Sequence, residues 1–143
     1  IDADACFNLK SRRKLENIIY KYKNKDIIFS GDNNTNIINA GTIILKNSKI
    51  SKQFCLNILN SHNNRECNKH FNKSNWEQSC IIELYNKNID NIKNVSVIIP
   101  YKILQIFPHL HKKHNKTSII LHYAGTNKKK RIEELTKIYN TIQ

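Results

Sequence analysis

The sequence predicts an α/β layer protein. Three observations carry that prediction: short apolar runs alternate with stripes of helical period, turn residues bound those runs, and 143 residues suffice for one domain of ordinary size. The hydrophobic fraction of 39% lies below the usual ~45–50%, yet Ile, Leu, Phe and Tyr recur in periodic bursts, so a core forms and wholesale disorder is excluded.

The elements follow in order. Residues 1–6 read as the end of a strand already under way, because an apolar residue stands directly against paired acids; the chain is expected to continue something longer. From Ser11 to Tyr22, Leu15, Ile18, Ile19 and Tyr22 sit at i, i+3, i+4 and i+7, the stripe of an amphipathic helix with Lys and Arg opposite. Asp26 to Asp32 reads as a short buried strand closed by a glycine turn, and Asn33 to Asn36 as a polar loop. Ile43 to Leu45 forms another short strand, after which Ser48 or Ser51 caps a helix carrying Phe54, Leu56, Ile58 and Leu59.

Ser61 to Asn75 has almost no apolar content and reads as a surface loop or insertion; loops of that length are usually functional or mobile. Helical spacing resumes from Trp76 to Tyr85 through Cys80, Ile81 and Leu84. Val95 to Ile99 is a strand stopped by Pro100, Lys102 to Phe107 is ambiguous, and His109 to Lys116 is a basic loop with His109, His111 and His114. Ser118 to His122 is the last strand, which delivers His122 to its C-terminal end. Tyr123-Ala124-Gly125 then turns into a basic helix with Ile132, Leu135, Ile138 and Tyr139 inward.

The net charge of +13 suits a polyanionic partner, since clustered Lys and Arg raise phosphate affinity. A compositional origin competes with that reading. The chain holds 22 Asn and 20 Lys but only 4 Arg, 3 Gly and 2 Pro, as A/T-rich codons would favour. No apolar run approaches the ~20 residues that span a bilayer. Cys6, Cys55, Cys67 and Cys80 lack a C-x-x-C pair; three disulfide connectivities and free thiols all remain open. Sequons begin at Asn33, Asn72, Asn94 and Asn115.

Four constellations carry chemistry. Asp2-Ala3-Asp4 in an extended segment points two carboxylates to one side, where they suit a hard cation such as Mg²⁺ or Mn²⁺, with small Ala3 and Ala5 leaving room. Asn39-Ala40-Gly41 combines a hydrogen-bonding amide with a backbone that passes close to a ligand; an Asx turn is the simpler alternative. Trp76-Glu77-Gln78 stands at a helix start, where Glu77 also suits the helix dipole. His122 to Gly125, with Lys128 close behind, joins a possible metal ligand to a flexible turn and to charges that meet phosphate.

In this order, with Asp26 to Asp32, Asn39 to Ser48, Glu77-Gln78, Ile99-Pro100 and His122 to Gly125, the chain resembles the galactosyl/mannosyltransferase family of retaining GT-A glycosyltransferases. That family includes yeast Golgi α-galactosyl- and α-mannosyltransferases and plant xyloglucan xylosyltransferases. The resemblance implies a Rossmann-like GT-A fold lacking its N-terminal nucleotide-binding half, so that residues 1–143 are the C-terminal part of a single catalytic domain. It further implies that Asp2, Asp4 and His122 hold Mn²⁺ or Mg²⁺, that Asn39, Ala40 and Gly41 line the donor-sugar pocket, and that Glu77 and Gln78 face the sugar. Gly125 and Lys128 look like the diphosphate-contacting turn of the related glycogenin-like retaining transferases. The implied partners are a nucleotide-diphosphate sugar donor and a glycan or glycoprotein acceptor, with no nucleic acid. The implied setting for a full-length enzyme is the lumenal side of Golgi or ER membranes, with an anchor. Two other readings remain: a basic module for RNA or another polyanion using His109 to Lys116 and Lys128 to Arg131, and a catalytically inactive truncated relative.

Overall fold

A computed structural model describes residues 1–33, 37–109 and 116–141. The loop residues 34–36, most of the basic histidine loop with His111 and His114, and the Asn115 sequon position lie outside the described residues. Strands are β1 (Ala5–Phe7), β2 (Ile27–Gly31), β3 (Ile38–Leu45), β4 (Ser96–Ile99), β5 (Gln105–Ile106) and β6 (Ile120–His122). Helices are α1 (Leu15–Lys21), α2 (Lys49–Leu59), α3 (Trp76–Asn86), α4 (Ile92–Val95) and α5 (Lys128–Asn140). Two three-stranded sheets result, ordered β1-β6-β5 and β3-β2-β4. β1 runs antiparallel to β6, and β5 parallel to it; β2 pairs antiparallel with β3 and parallel with β4.

Strand alternation decides the layers. Ile28 of β2 turns to one side with Ile18, Ile99, Leu104 and Ile120, joined by Ala5 and Val97, and fills the space between the sheets and α1. Its neighbours Ile27 and Phe29 turn the other way and pack with Ile38, Phe54, Ile81 and Ile92 beneath α2, α3 and α4. On the outer face of the first sheet, Ile106, Leu121 and Tyr123 meet Leu135 and Ile138 of α5. The α/β architecture therefore matches the sequence expectation.

Several local expectations change. β1 begins at Ala5; before it, the Ala5 N–H donates to the Asp2 carbonyl at 3.1 Å, which makes Asp2–Ala5 a turn and not the end of a strand. β3 extends back to Ile38 and takes in Asn39-Ala40-Gly41, because pairing jumps from Phe29↔Ile43 to Ser30↔Asn39 and leaves residues 40–42 as a bulge. The ambiguous stretch holds the short β5. On α5, Leu135 and Ile138 pack inward but Ile132 and Tyr139 are 54% and 61% exposed, since the helix docks along a narrower line than its apolar period suggests. Ser48 caps α2, accepting a hydrogen bond from the Ser51 N–H at 3.2 Å.

The Asn-rich composition acquires a structural role. Asn72, Asn75, Asn88, Asp90 and Asn91 all adopt positive φ, the left-handed conformation that Asn and Asp tolerate best among residues with a Cβ. In a chain with 3 Gly, asparagine supplies the turns.

The polar segment after α2 is pinned more firmly than its composition suggests. A disulfide joins Cys67 to Cys80, and both residues are buried beside Leu84; closing a loop of this size contributes about 3 kcal/mol in chain-entropy terms. Cys6 and Cys55 are free. Around the bridge, the ammonium groups of Lys69 and Lys87 each lie 3.0 Å from Glu83 Oε1, and Lys87 also pairs with Glu66. Hydrogen bonds from Lys69 and Lys87 hold the Glu83 carboxyl down from 4.5 to about 2.

Because the folded value is depressed, this contribution is complete above about pH 4.5 and disappears as pH falls towards 2. Pairs in contact with solvent contribute about 1 kcal/mol or less. Glu83→Gln is therefore expected to lower stability at neutral pH by up to about 1 kcal/mol and to leave it unchanged near the acid end of that window. Urea unfolding across the range measures this; an equal loss at both ends would show that the carboxylate's charge is not responsible.

Candidate functional site

The site forms where the two sheets meet. At the end of β6, His122 stands opposite Ala5 and turns into the space between the sheets, where its residue exposure is 2%. Phe107 lies against it, with ring centroids 5.3 Å apart. From the second sheet, the β3 bulge brings the Gly41 backbone onto the same ring. A Cβ at Gly41 would land on His122 Cε1 and lie 2.5 Å from Nδ1 and 2.9 Å from Nε2. Glycine is required here for close approach, not for an unusual φ.

The Asp2–Asp4 turn closes the site and is fixed at both ends. The Asp2 N–H donates to the Gly41 carbonyl at 2.9 Å, and the Tyr123 N–H donates to the Asp4 carbonyl at 2.9 Å. Convergence of the two carboxylates thus comes from a turn held between β3 and β6, not from extended i, i+2 spacing. Asp4 Oδ1 lies 3.2 Å and Asp2 Oδ2 3.4 Å from His122 Nε2. One ligand atom from each of Asp2, Asp4 and His122 falls within 4.8 Å of the others.

These residues fit a divalent cation. Among the described residues, both ring nitrogens of His122 are buried without a hydrogen-bond partner, and a buried polar atom left unpaired is costly. Two hard carboxylate oxygens beside an imidazole nitrogen suit Mn²⁺ or Mg²⁺.

Of the other residues singled out in the sequence, Asn39 and Gln78 are tied by hydrogen bonds to the β3 bulge that carries Gly41. Asn39 is buried, and its Oδ1 accepts a hydrogen bond from the Gly41 N–H at 2.9 Å, which stiffens the bulge. The Asx contact and the close backbone approach are therefore both present. Gln78, in the first turns of α3, accepts a hydrogen bond from the Ala40 N–H at 3.0 Å through Oε1. This links Gln78 to the Asn39–Gly41 segment across the sequence. Glu77 precedes it in the first turn, half-buried. Gly125 has φ +72° and open space around the position of a Cβ. Lys128 opens α5 and is exposed.

One residue escaped sequence reasoning. Arg131, a turn beyond Lys128, places Nη1 2.6 Å from Asp4 Oδ2. The run Lys128 to Arg131 reads in sequence as one block of charge, yet an arginine in a chain with 20 Lys and 4 Arg is a signal of its own. Only the guanidinium offers planar, directional donors to a carboxylate. For the polyanion reading, Arg131 is engaged within the site and is not a free surface cation. Two surface concavities lie elsewhere: one of about 510 Å³ beside Lys46, Ser51 and Cys55, another of about 570 Å³ between β1 and α5.

Residues 3–133 match the model of the galactosyl transferase GMA12/MNN10 family. The chain belongs to that family. The match takes in Asp4, the β3 bulge, Gln78, His122 and Arg131, and begins one residue after Asp2. Among solved structures, the chain is similar to a glycosyltransferase involved in the glycosylation of the major capsid of PBCV-1, with a TM-score of 0.71 and 18% sequence identity. That likeness covers 96% of this chain and 64% of the solved one, so the chain spans less than two thirds of its neighbour's length. It confirms a glycosyltransferase fold. No curated protein matches the sequence. Among the described residues no helix is long and apolar enough to cross a membrane.

Proposed function

We propose that this chain carries the metal centre of a retaining glycosyltransferase, which moves a hexose or pentose from a nucleotide-diphosphate sugar to a glycan or glycoprotein acceptor. The observation that carries the proposal is the buried imidazole of His122, which makes no hydrogen bond at either nitrogen and faces the carboxylates of Asp2 and Asp4 through Nε2. Family membership supports the sugar-transfer chemistry.

Asp2, Asp4 and His122 would hold Mn²⁺ or Mg²⁺, which supplies charge neutralisation for the leaving diphosphate. The protein's own residues prepare the rest. α5 opens with Lys128, Lys129 and Lys130 and has no acidic residue in its first turn. Cations there oppose the helix dipole, an arrangement that suits a site facing an anion. Gln78 uses Oε1 on the Ala40 backbone, which fixes its amide plane and leaves Nε2 to orient the sugar beside Asn39.

As the bond from the anomeric carbon to the diphosphate oxygen breaks, the electron pair leaves with the diphosphate. The acceptor oxygen attacks the same face, and its proton passes to that phosphate oxygen, so no protein base is consumed. The Cys67–Cys80 disulfide favours an oxidising, lumenal setting for the enzyme.

Titration of the chain with Mn²⁺, followed by electron paramagnetic resonance with and without a nucleoside diphosphate, tests the metal centre. One bound Mn²⁺ per chain is expected, lost in His122→Ala. Absence of binding under both conditions, or binding unaffected by that substitution, would overturn the reading.

A further inference from the structure

Asp4 is shared between two groups. Its Oδ1 faces His122 Nε2 at 3.2 Å, whereas its Oδ2 is taken by Arg131 Nη1 at 2.6 Å. The carboxylate and the guanidinium are only 18% and 33% exposed, and the backbone is anchored on each side. Asp4 is fixed through its carbonyl to the Tyr123 N–H, and the Arg131 N–H donates to the Asn127 carbonyl at 2.9 Å. Asn127 itself caps α5 by accepting from the Lys129 N–H. Helix α5 is held on the sheet by Leu135 and Ile138. The pair is therefore built from two fixed elements and is not a chance meeting of long surface side chains.

We propose that Arg131 is the positioning residue of the cation site: by occupying Asp4 Oδ2 it limits that carboxylate to one ligand oxygen and selects a small octahedral cation over Ca²⁺. This rests on the metal reading above. The physical basis is the difference in coordination habit. Ca²⁺ takes about 6–8 oxygens and readily accepts a carboxylate through both, whereas Mg²⁺ and Mn²⁺ favour octahedral sites with one oxygen per carboxylate. A carboxylate whose second oxygen carries a charge-assisted hydrogen bond meets the second demand and refuses the first. Asp2, whose side chain is half exposed, has no such partner among the residues that form the site. The guanidinium therefore acts on one ligand alone.

The experiment measures Mn²⁺ and Ca²⁺ affinities of the wild-type chain, Arg131→Gln and Arg131→Lys by calorimetry. Loss of a positive charge should tighten both cations in Arg131→Gln, so the ratio between them is the informative quantity. The affinity ratio is expected to move towards Ca²⁺ by about tenfold in Arg131→Gln, the low end of what partners of metal ligands contribute, and to be restored only in part in Arg131→Lys, whose ammonium keeps the charge without the directed donors of a guanidinium. An unchanged ratio in a folded, Mn²⁺-binding Arg131→Gln overturns the role of Arg131 and leaves the metal reading standing. Failure of wild-type chain to bind Mn²⁺ removes both. Metal-minus-apo infrared difference spectra of the wild-type chain and Asp4→Asn give a second measurement that does not depend on how Arg131→Gln folds. Wide splitting of the Asp4 carboxylate bands, the mark of one-oxygen coordination, supports the proposal, and the narrow splitting of two-oxygen coordination overturns it.

Discussion

Gly41→Ala is expected to destabilise the protein and to weaken its cation site in the same step. The added methyl would land on His122 Cε1 and stand 2.5 Å from Nδ1, a separation that forces movement. Neither partner has an easy way out. The ring is buried against Phe107, and the Gly41 backbone is tied through its carbonyl to the Asp2 N–H and through its own N–H to Asn39 Oδ1. Overpacking of a filled interior costs about 1–3 kcal/mol. The displaced imidazole no longer faces both carboxylates, so Mn²⁺ affinity should fall by at least about tenfold, as for loss of ligand orientation generally. Thermal unfolding and Mn²⁺ titration of the variant together check this. Wild-type values in both would show that β3 and His122 are not in contact.

Asp4→Ala should separate function from folding. On the proposed metal reading its carboxylate offers one of three ligand atoms, and it is the partner of Arg131, whose side chain is a third exposed. The stability change is expected to stay within about 1 kcal/mol, as for a partly exposed ion pair. Metal-dependent sugar transfer by the enzyme should drop by about 10²–10³ or more, the scale of losing a main electrostatic stabiliser of the leaving group. Circular dichroism and Mn²⁺-dependent donor turnover measure the two effects. Undiminished turnover would remove Asp4 from the site.

These expectations draw on different levels of legibility. Apolar runs located β2, β4 and β6, because a strand buried on both faces needs a continuous run and Pro100 marks its end. Asp2, Asp4 and His122 were readable through the order of motifs along the chain, although the physical reason for their convergence was not. A turn pinned to Gly41 and Tyr123 depends on contacts between distant segments, which local spacing does not encode. The same holds for Arg131, 127 residues from Asp4. Periodicity correctly found α5 but overstated its buried face at Ile132 and Tyr139, since a stripe names a direction and not the extent of what covers it. Four cysteines left the pairing open; only the packing of the α2–α3 segment brings Cys67 against Cys80.

The short turn at residues 2–4 also gives the molecule a built-in gauge. Its two backbone hydrogen bonds tie opposite sheets, Asp2 N–H to Gly41 and Tyr123 N–H to Asp4, so neither can open without loosening the seam. In amide hydrogen exchange, the protons of Asp2 and Tyr123 should accordingly be released together, as one cooperative opening separate from fraying elsewhere. Two peaks in a spectrum would then follow the integrity of the whole junction.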